Sequence, residues 1–323
     1  MVKYIPSRNI GLDLVRVTET TALAAARWTG SGNYEAAHRD SSRAMADALN
    51  SLNINGRIVI SESGRPGTPD CLLSGSKVGT GNGPELDVVV DPIDGTKLVI
   101  KGQPDAVSLV GMAPRGTMWS PAPAIYMEKI VVDREAAHAL VPECMDAPAA
   151  WTLALIARVK RKSVQDLTVL ILDRKRHVDL IEEVRAAGAR IILRDEGDME
   201  GALLATLPES GVDILMGVGG ASQGVIAACA VKALEGGMLA RLAPQSAEEI
   251  AEIREAGLNE KAIMTCDEII QTNEVFFAAT GVTNSMLLGP VQFHGNYAET
   301  HSLLLRAETG TRRFIHAEHS ARV

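Results

Sequence analysis

The alternation of apolar strands with helices between residues 167 and 234 constrains the fold more than any other feature of the chain. Runs of leucine, isoleucine and valine indicate strands, and longer segments with apolar residues at helical spacing indicate helices. The pattern predicts strands at 167–172, 190–193 and 212–216 and helices at 179–187, 199–207 and 222–234. Such alternation is typical of an α/β fold with a mostly parallel sheet.

Further elements are predicted on either side of this unit. They are helices at 11–28, 41–52, 149–160 and 245–256 and strands at 57–60, 86–90, 106–112, 124–132, 274–281, 302–307 and 312–317. Asp40 stands where the helix at 41–52 needs an N-cap, because an aspartate side chain accepts hydrogen bonds from the first N–H groups of a helix. A chain of 323 residues can bury a large core, and we expect two α/β halves, 1–162 and 163–323.

Composition argues against several functional classes. Apolar residues make up 46% of the chain, no apolar run is long enough to span a membrane, and residues 1–6 lack the apolar core of a signal peptide. The net charge of −8 and 3% aromatic residues disfavour nucleic-acid binding, which needs basic patches and often aromatic stacking. Cys71, Cys144, Cys229 and Cys266 show no zinc-ligand spacing. We expect a cytoplasmic protein with reduced thiols and a small-molecule ligand, without a nucleic-acid or membrane partner.

The stretch LDVVVDPIDGTK at 86–97 is the strongest candidate for chemistry. Its apolar run predicts a buried strand that stops at Asp91, because the following proline cannot continue a central ladder and the later glycine favours a turn. Asp91 and Asp94 then lie together at the strand end, where two carboxylates favour Mg²⁺ or Mn²⁺. The hydroxyl of Thr96 lies where it can orient or deprotonate a metal-bound water. A surface turn with Asp91 as a cap is the alternative.

A third carboxylate is predicted at the end of the neighbouring strand. The strand at 57–60 is followed by Glu62. Because the ends of adjacent strands meet at one edge of a sheet, Glu62, Asp91 and Asp94 together predict a metal site. A solvated loop acid is the alternative for Glu62 alone.

Charged or glycine-rich segments follow the three strands of the alternating unit. They are DRKRH at 173–177, RDEGD at 194–198 and GVGG at 217–220. Ligands of α/β sheets bind outside the carboxyl ends of the strands. Cations there clamp phosphate, acids hold sugar hydroxyls, and a glycine turn that opens a helix offers N–H groups to an anion. Each segment taken singly is also compatible with an ordinary polar loop.

Together, short motifs along almost the whole chain resemble the class II fructose-1,6-bisphosphatases, within the superfamily of metal-dependent, lithium-sensitive sugar and inositol phosphatases. The motifs are VRVTE at 15–19, NING at 53–56, KVGTG at 77–81, DPIDGT at 91–96, YMEK at 126–129, RH at 176–177, GD at 197–198, GVGGA at 217–221 and ATGVT at 279–283. The resemblance implies a layered αβαβα sandwich and removal of the 1-phosphate of a sugar bisphosphate with Mg²⁺ or Mn²⁺. It also implies a homo-oligomer, either a dimer or a tetramer.

The same resemblance implies roles for individual residues. Glu62, Asp91 and Asp94 match metal ligands, and Thr96 matches the residue that activates the attacking water. The positions that match substrate contacts are Asp94, Gly95, Thr96, Tyr126, Arg176, His177, Glu196, Asp198 and Gly220.

Several positions depart from the family pattern. The family carries a metal-binding acid where this chain has Gln223, whose amide oxygen can coordinate but adds no charge. The family's aspartate after the first helix aligns with His38, so Gln223 and His38 are the candidates for the remaining metal positions. Asp40 lies close enough in sequence to substitute for His38. A lysine of the same loop aligns with Tyr34, and the acid-rich segment at 63–66 is altered.

The sequence is compatible with two alternative functions. A paralogue with a weakened metal site would bind a sugar phosphate, and hydrolyse it poorly, as a regulatory protein. A nicotinamide-binding protein is the other alternative, because the strand at 212–216 runs into Gly217 and Gly219. Its fit is poor, since Ser222 stands in place of the third glycine of the dinucleotide motif.

Overall fold

The computed structural model describes residues 10–61 and 68–320. Within these ranges the helices are α1 (Ile10–Ala26), α2 (Tyr34–Asn50), α3 (Thr96–Lys101), α4 (Ala149–Lys160), α5 (Val178–Ala186), α6 (Asp198–Thr206), α7 (Ala221–Ala233), α8 (Ala247–Glu255) and α9 (Cys266–Ile269). The strands are β1 (Asn55–Ile58), β2 (Lys77–Val78), β3 (Glu85–Asp94), β4 (Val107–Pro114), β5 (Tyr126–Val132), β6 (Thr168–Leu172), β7 (Arg190–Arg194), β8 (Ile214–Gly220), β9 (Gly237–Leu242), β10 (Met264–Thr265), β11 (Phe276–Gly281), β12 (Gln292–His294), β13 (Tyr297–Arg306) and β14 (Thr311–Ser320).

The strands form two mixed sheets. The first has eight strands in the order β12-β13-β11-β4-β3-β1-β2, with β14 paired to the other edge of β13. The second has six strands in the order β10-β9-β5-β8-β6-β7. Its parallel pairs are β6 with β7 and β6 with β8, and the other pairs are antiparallel. The prediction of a mostly parallel sheet was wrong, because β5 and β9 come from outside the alternating segment and enter antiparallel.

Helices cover both faces of the central strands of each sheet, which confirms the αβαβα sandwich. In β3, Val88 packs with the residues of α1 and α2, whereas Val89 packs with those of α7. In β5, Val131 faces the α6 and α7 layer and Val132 faces α4 and α5. Because successive side chains of a strand point to opposite faces, both sheets are buried on two sides. The layers run α1 and α2, first sheet, α6 and α7, second sheet, α4 and α5.

The two sheets do not follow the chain in order. β5 precedes residue 162 and lies in the second sheet, whereas β11 to β14 come from the C-terminal part and complete the first. Pairings between distant segments therefore bring residues from both parts of the chain to one place between the sheets. None of the helices in 10–61 and 68–320 combines the length and apolar character that a membrane span requires.

The second helix begins earlier than its apolar pattern indicated. Asn33 is its N-cap, and the Asn33 side chain accepts a hydrogen bond from the N–H of Ala36 at 3.1 Å. Asp40 lies inside the helix and pairs with Arg39 at 3.0 Å, so the predicted cap at Asp40 was wrong. The first turns of the helix bury alanine and serine, which a search for large apolar residues does not detect.

Candidate active site

Strand β3 carries its two aspartates on a bulge. Asp91 lies opposite Leu109 and Asp94 lies opposite Val107, so β3 has one more residue than β4 over this span. The prediction that the strand stops at Asp91 was wrong, because the bulge accommodates Pro92 without ending the pairing. Strand alternation places Asp91 on the same face as Val89, toward the central helices, and the extra residue brings Asp94 to that face as well.

Hydrogen bonds from the central helices hold these carboxylates. The side-chain N–H of Gln223 in α7 donates to Asp91 Oδ2 at 2.8 Å, and the backbone N–H of Met199 in α6 donates to Asp94 Oδ2 at 3.0 Å. Asp91 and Asp94 are 1% and 7% exposed, respectively. Gln223 Oε1 accepts a hydrogen bond from the hydroxyl of Ser222 at 3.0 Å. Both of these donors are uncharged amides.

Thr96 follows directly, at the start of α3. Gly95 precedes it with φ +94, a left-handed conformation that favours glycine, and this turn brings the chain from the strand into the helix. The Thr96 hydroxyl is buried and donates to the carbonyl of Ile93 at 3.3 Å. Its oxygen lone pairs remain available as acceptors.

A cavity of about 430 Å³ lies beside these residues, between the two sheets. We call it the pocket; it is large enough for a small ligand. The predicted site residues that line it are Asp94, Gly95, Thr96, Tyr126, Arg176, Glu196, Asp198, Gly220 and Gln223. Both sheets and the central helices thus contribute predicted residues to a single pocket.

Other predicted site residues lie elsewhere. Asp91 is buried behind the pocket wall. Both ring nitrogens of His177 are bonded to the backbone: one contacts the Leu172 carbonyl at 2.7 Å and the other accepts from the Val218 N–H at 2.8 Å. Burial lowers the pKa of His177, which keeps the ring neutral in this role. His38 is buried in α2 with Nε2 3.0 Å from the hydroxyl of Thr68, outside the pocket lining.

Glu62 lies outside the described residues. Within the described ranges, no group of three His, Cys, Asp or Glu side chains is placed to hold a metal ion. Asp91 and Asp94 therefore supply the acidic part of the predicted site that the structure describes.

Arg176 is oriented by the second sheet. Its Nε and Nη2 atoms donate to the carbonyl of Val218 at 3.1 and 2.7 Å. The guanidinium lies over the ring of Tyr126, 5.2 Å from its centroid. Burial lowers the pKa of Arg176, although a guanidinium keeps its charge in proteins. The pocket therefore has a fixed cation suited to a phosphate group.

The acids on this side are paired with cations. Glu196 lies 3.5 Å from Lys97 Nζ and 3.7 Å from Arg174 Nη2. Asp198 forms an ion pair with Lys129, whose side chain is 1% exposed. Gly219 leaves room for this pair, since a Cβ at residue 219 would lie 2.0 Å from Asp198 Oδ2. The glycines at 217–220 therefore belong to β8 and make space for site residues, and the predicted glycine turn was wrong.

The sequence did not predict Lys129 as a site residue. It stands in the apolar strand Tyr126–Val132, where a lysine needs a buried partner, and this was the available signal. Tyr34, noted only as a departure from the family pattern, also lines the pocket.

Comparison with known proteins gives a consistent result. A family model described as bacterial fructose-1,6-bisphosphatase, glpX-encoded, matches residues 8–319. The chain is 36% identical to D-fructose 1,6-bisphosphatase class 2/sedoheptulose 1,7-bisphosphatase of Synechococcus sp. (strain JA-3-3Ab), over 96% of this chain and 95% of the relative. It is 35% identical to fructose-1,6-bisphosphatase class 2 of Haemophilus influenzae, over 97% of this chain and 96% of the relative.

Proposed function

The chain belongs to the bacterial, glpX-encoded fructose-1,6-bisphosphatase family, and from this premise we propose that it hydrolyses the 1-phosphate of fructose 1,6-bisphosphate or of a related bisphosphate such as sedoheptulose 1,7-bisphosphate. The observation that carries the proposal is the composition of the pocket. Asp94 at the end of β3 lines the pocket, with Asp91 buried close by, and the pocket is also lined by Arg174 and Arg176. A substrate with two phosphates and a polyol chain needs both kinds of group.

The donor set fits a hard divalent cation. Class II enzymes are metal-dependent, and we propose Mg²⁺ or Mn²⁺ held by Asp91 and Asp94, with Glu62 as the third carboxylate. These ions prefer oxygen ligands, which carboxylates provide. Gln223 offers at most a neutral oxygen, and we infer fewer strong metal positions than three or four carboxylates would give. When bound, such an ion lowers the pKa of a coordinated water and stabilises charge on phosphoryl oxygens.

The protein's own groups orient the reaction. We propose that the Thr96 oxygen accepts a hydrogen bond from the attacking water and fixes its direction. Arg176 binds phosphate oxygens, and its contact with the Val218 carbonyl holds the guanidinium in place before substrate arrives. Glu196 and Asp198 accept hydrogen bonds from sugar hydroxyls. Substrate positioning of this kind contributes to the rate because the reacting groups need no further ordering.

The family and the composition support three further proposals. We propose a cytoplasmic location, a small sugar phosphate as the binding partner, and a homo-oligomeric state of two or four subunits.

The direct test is phosphate release from a panel of sugar mono- and bisphosphates, with Mg²⁺ or Mn²⁺ and with a chelator. Asp94→Asn should abolish metal-dependent release. Asp195→Asn is the matched control, because Asp195 is an exposed acid of the same loop as Glu196 and does not line the pocket. Release that survives Asp94→Asn would contradict the proposed site. A sugar phosphate that raises the melting temperature without being hydrolysed would instead identify a binding protein.

A further inference from the structure

Strand β14 is an open edge of unusual length. All ten residues, Thr311–Ser320, pair with β13. Within 10–61 and 68–320, no strand pairs with its other side. Proteins commonly shorten, cover or interrupt such edges, since unpaired N–H and C=O groups bind another strand. An edge of this length that contains no proline is suited to strand addition.

One face of β14 is also uncovered. Arg312, Phe314, His316 and Glu318 alternate along it, and all are exposed, with Phe314 at 55%. They continue the sheet face that β13 buries, since Phe314 lies opposite the core residue Leu303. An exposed phenylalanine beside charged groups of both signs is characteristic of a protein interface.

We propose that β14 pairs antiparallel with β14 of a second copy of this chain, about a two-fold axis at Ile315. The two first sheets then form one continuous sheet across the dimer. This assembly deepens the homo-oligomer proposed above by giving it a surface and a register.

Symmetry restricts the possible registers. In an antiparallel pair related by a two-fold axis, one residue must lie opposite its own copy, because the two kinds of cross-strand position alternate. An axis at Ile315 places Arg312 opposite Glu318 of the partner subunit, and this pair occurs twice. An axis at Arg313 or at Glu318 would oppose like charges. Opposite charges across a strand pair stabilise it and like charges destabilise it, so the axis at Ile315 is favoured.

The neighbouring layers leave room for this pairing. Helix α1 lies over β11 and β13. With strands about 4.8 Å apart, the two α1 helices would lie roughly 19 Å from each other, which exceeds a helix diameter of about 10–12 Å. On the opposite face, α7 packs on β3, β4 and β11 of the first sheet, away from its β14 edge. Helix packing therefore does not block the edge.

The test is molar mass in solution, measured by light scattering after size exclusion. Wild type should be a dimer or a multiple of one. Glu318→Arg should halve the mass at micromolar concentration, and the double variant Arg312→Glu/Glu318→Arg should restore it. Arg313→Glu is the matched control, because Arg313 points to the other face of β14 and faces Ala317 of the partner subunit. It should leave the mass unchanged.

Cross-linking tests the register independently. Ile315→Cys should form a disulfide with its own copy under mild oxidation, whereas Arg313→Cys and the wild type should not. A monomeric wild type, or an oligomer that resists Glu318→Arg, would overturn the proposal. A monomer that dimerises only after removal of residues 1–9 would show that the chain's own N-terminus occupies the edge, which would also overturn it. The edge is separate from the pocket, so an active monomer would refute the dimer and leave the phosphatase proposal intact.

Discussion

The carboxylates on the two walls of the pocket differ in the partners described for them. On the wall formed by β3, Asp94 and the buried Asp91 behind it each accept a hydrogen bond from an amide group. On the wall formed by the loops after β6 and β7, Asp198 pairs with Lys129, and Glu196 lies beside Lys97 and Arg174.

This difference supports a different proposed task for each wall. An amide donor positions a carboxylate without adding charge, whereas an ion pair neutralises the charge and leaves oxygen atoms that still accept hydrogen bonds. We propose that the first wall binds the metal and that the second binds the sugar and phosphate, and we call them the metal wall and the sugar-phosphate wall.

The largest effect is expected from Asp91→Asn. It replaces a charged oxygen of the metal wall by an amide of similar shape, and metal stabilisation of the transition state is worth several kcal/mol. The rate of phosphate release should fall roughly a thousandfold or more, since about 1.4 kcal/mol corresponds to a factor of ten. Steady-state kinetics at saturating metal measure the effect. Full activity of the variant would remove Asp91 from the metal wall.

Lys129→Met tests the ion pair of Lys129 with Asp198 on the sugar-phosphate wall. It leaves Asp198 without its buried cation, and breaking such a pair costs about 3–5 kcal/mol in unfolding free energy. Urea unfolding should show a loss of this order, and KM should rise. The double variant Lys129→Met/Asp198→Asn should regain stability without regaining the KM. If Lys129→Met alone is as stable as wild type, then the pair does not hold Asp198 in place.

Arg176→Lys separates charge from geometry on the same wall. Lysine keeps the positive charge but lacks the fork that contacts the Val218 carbonyl and the flat group over Tyr126. KM for the bisphosphate should rise about tenfold, a loss of about 1.4 kcal/mol in binding, with a smaller change in kcat. A larger fall in kcat than rise in KM would place Arg176 on the reacting phosphate.

Gln223→Glu should add a third carboxylate close to Asp91 and Asp94 on the metal wall. The new carboxylate would face Asp91 in place of an amide donor, so the metal-free protein should lose about 1–3 kcal/mol of stability. Divalent metal should bind more tightly and offset this loss. Thermal unfolding with and without Mn²⁺ measures both effects. A large rise in the rate on fructose 1,6-bisphosphate would mark the wild type as a weakened phosphatase, and an unchanged rate would point to altered substrate specificity.

We expect the smallest effect from the titration of Asp105, which lies close to Glu200. Burial, with Glu200 close by, raises the pKa of Asp105 from 3.8 to about 6, while Arg194 opposes the shift. Between these values the folded state binds more protons than the unfolded state, so this contribution to stability falls as pH rises from about 4 to 6. Asp105→Asn removes the dependence, and asparagine tolerates the positive φ of 78° at this position.

Melting temperatures of wild type and Asp105→Asn at about pH 4.5 and pH 7.5 test this dependence. The stability of wild type relative to the variant should be lower at the higher pH. An equal difference at both pH values would show that Asp105 does not titrate in this window.

Local chemistry explains which parts of the site the sequence predicts. The sequence of one strand and its turn predicts Asp94 and Thr96 as site residues, and both line the pocket. The mixed order of the second sheet, the bulge at Pro92 and the ion pair of Lys129 with Asp198 depend on contacts between distant segments, which periodicity does not encode. For His177 the family resemblance implies a substrate contact, and the structure adds that both of its ring nitrogens contact the backbone.

The most direct test of the proposed metal wall is Mn²⁺ binding by the metal-free protein, measured from the signal of free Mn²⁺ by electron paramagnetic resonance. Asp91→Asn and Glu196→Gln each neutralise one acid, the first on the metal wall and the second on the sugar-phosphate wall. We expect Asp91→Asn to lose strong Mn²⁺ binding and Glu196→Gln to retain the affinity and stoichiometry of wild type. Equal loss in both variants, or retention in Asp91→Asn, would contradict the proposed roles of the two walls.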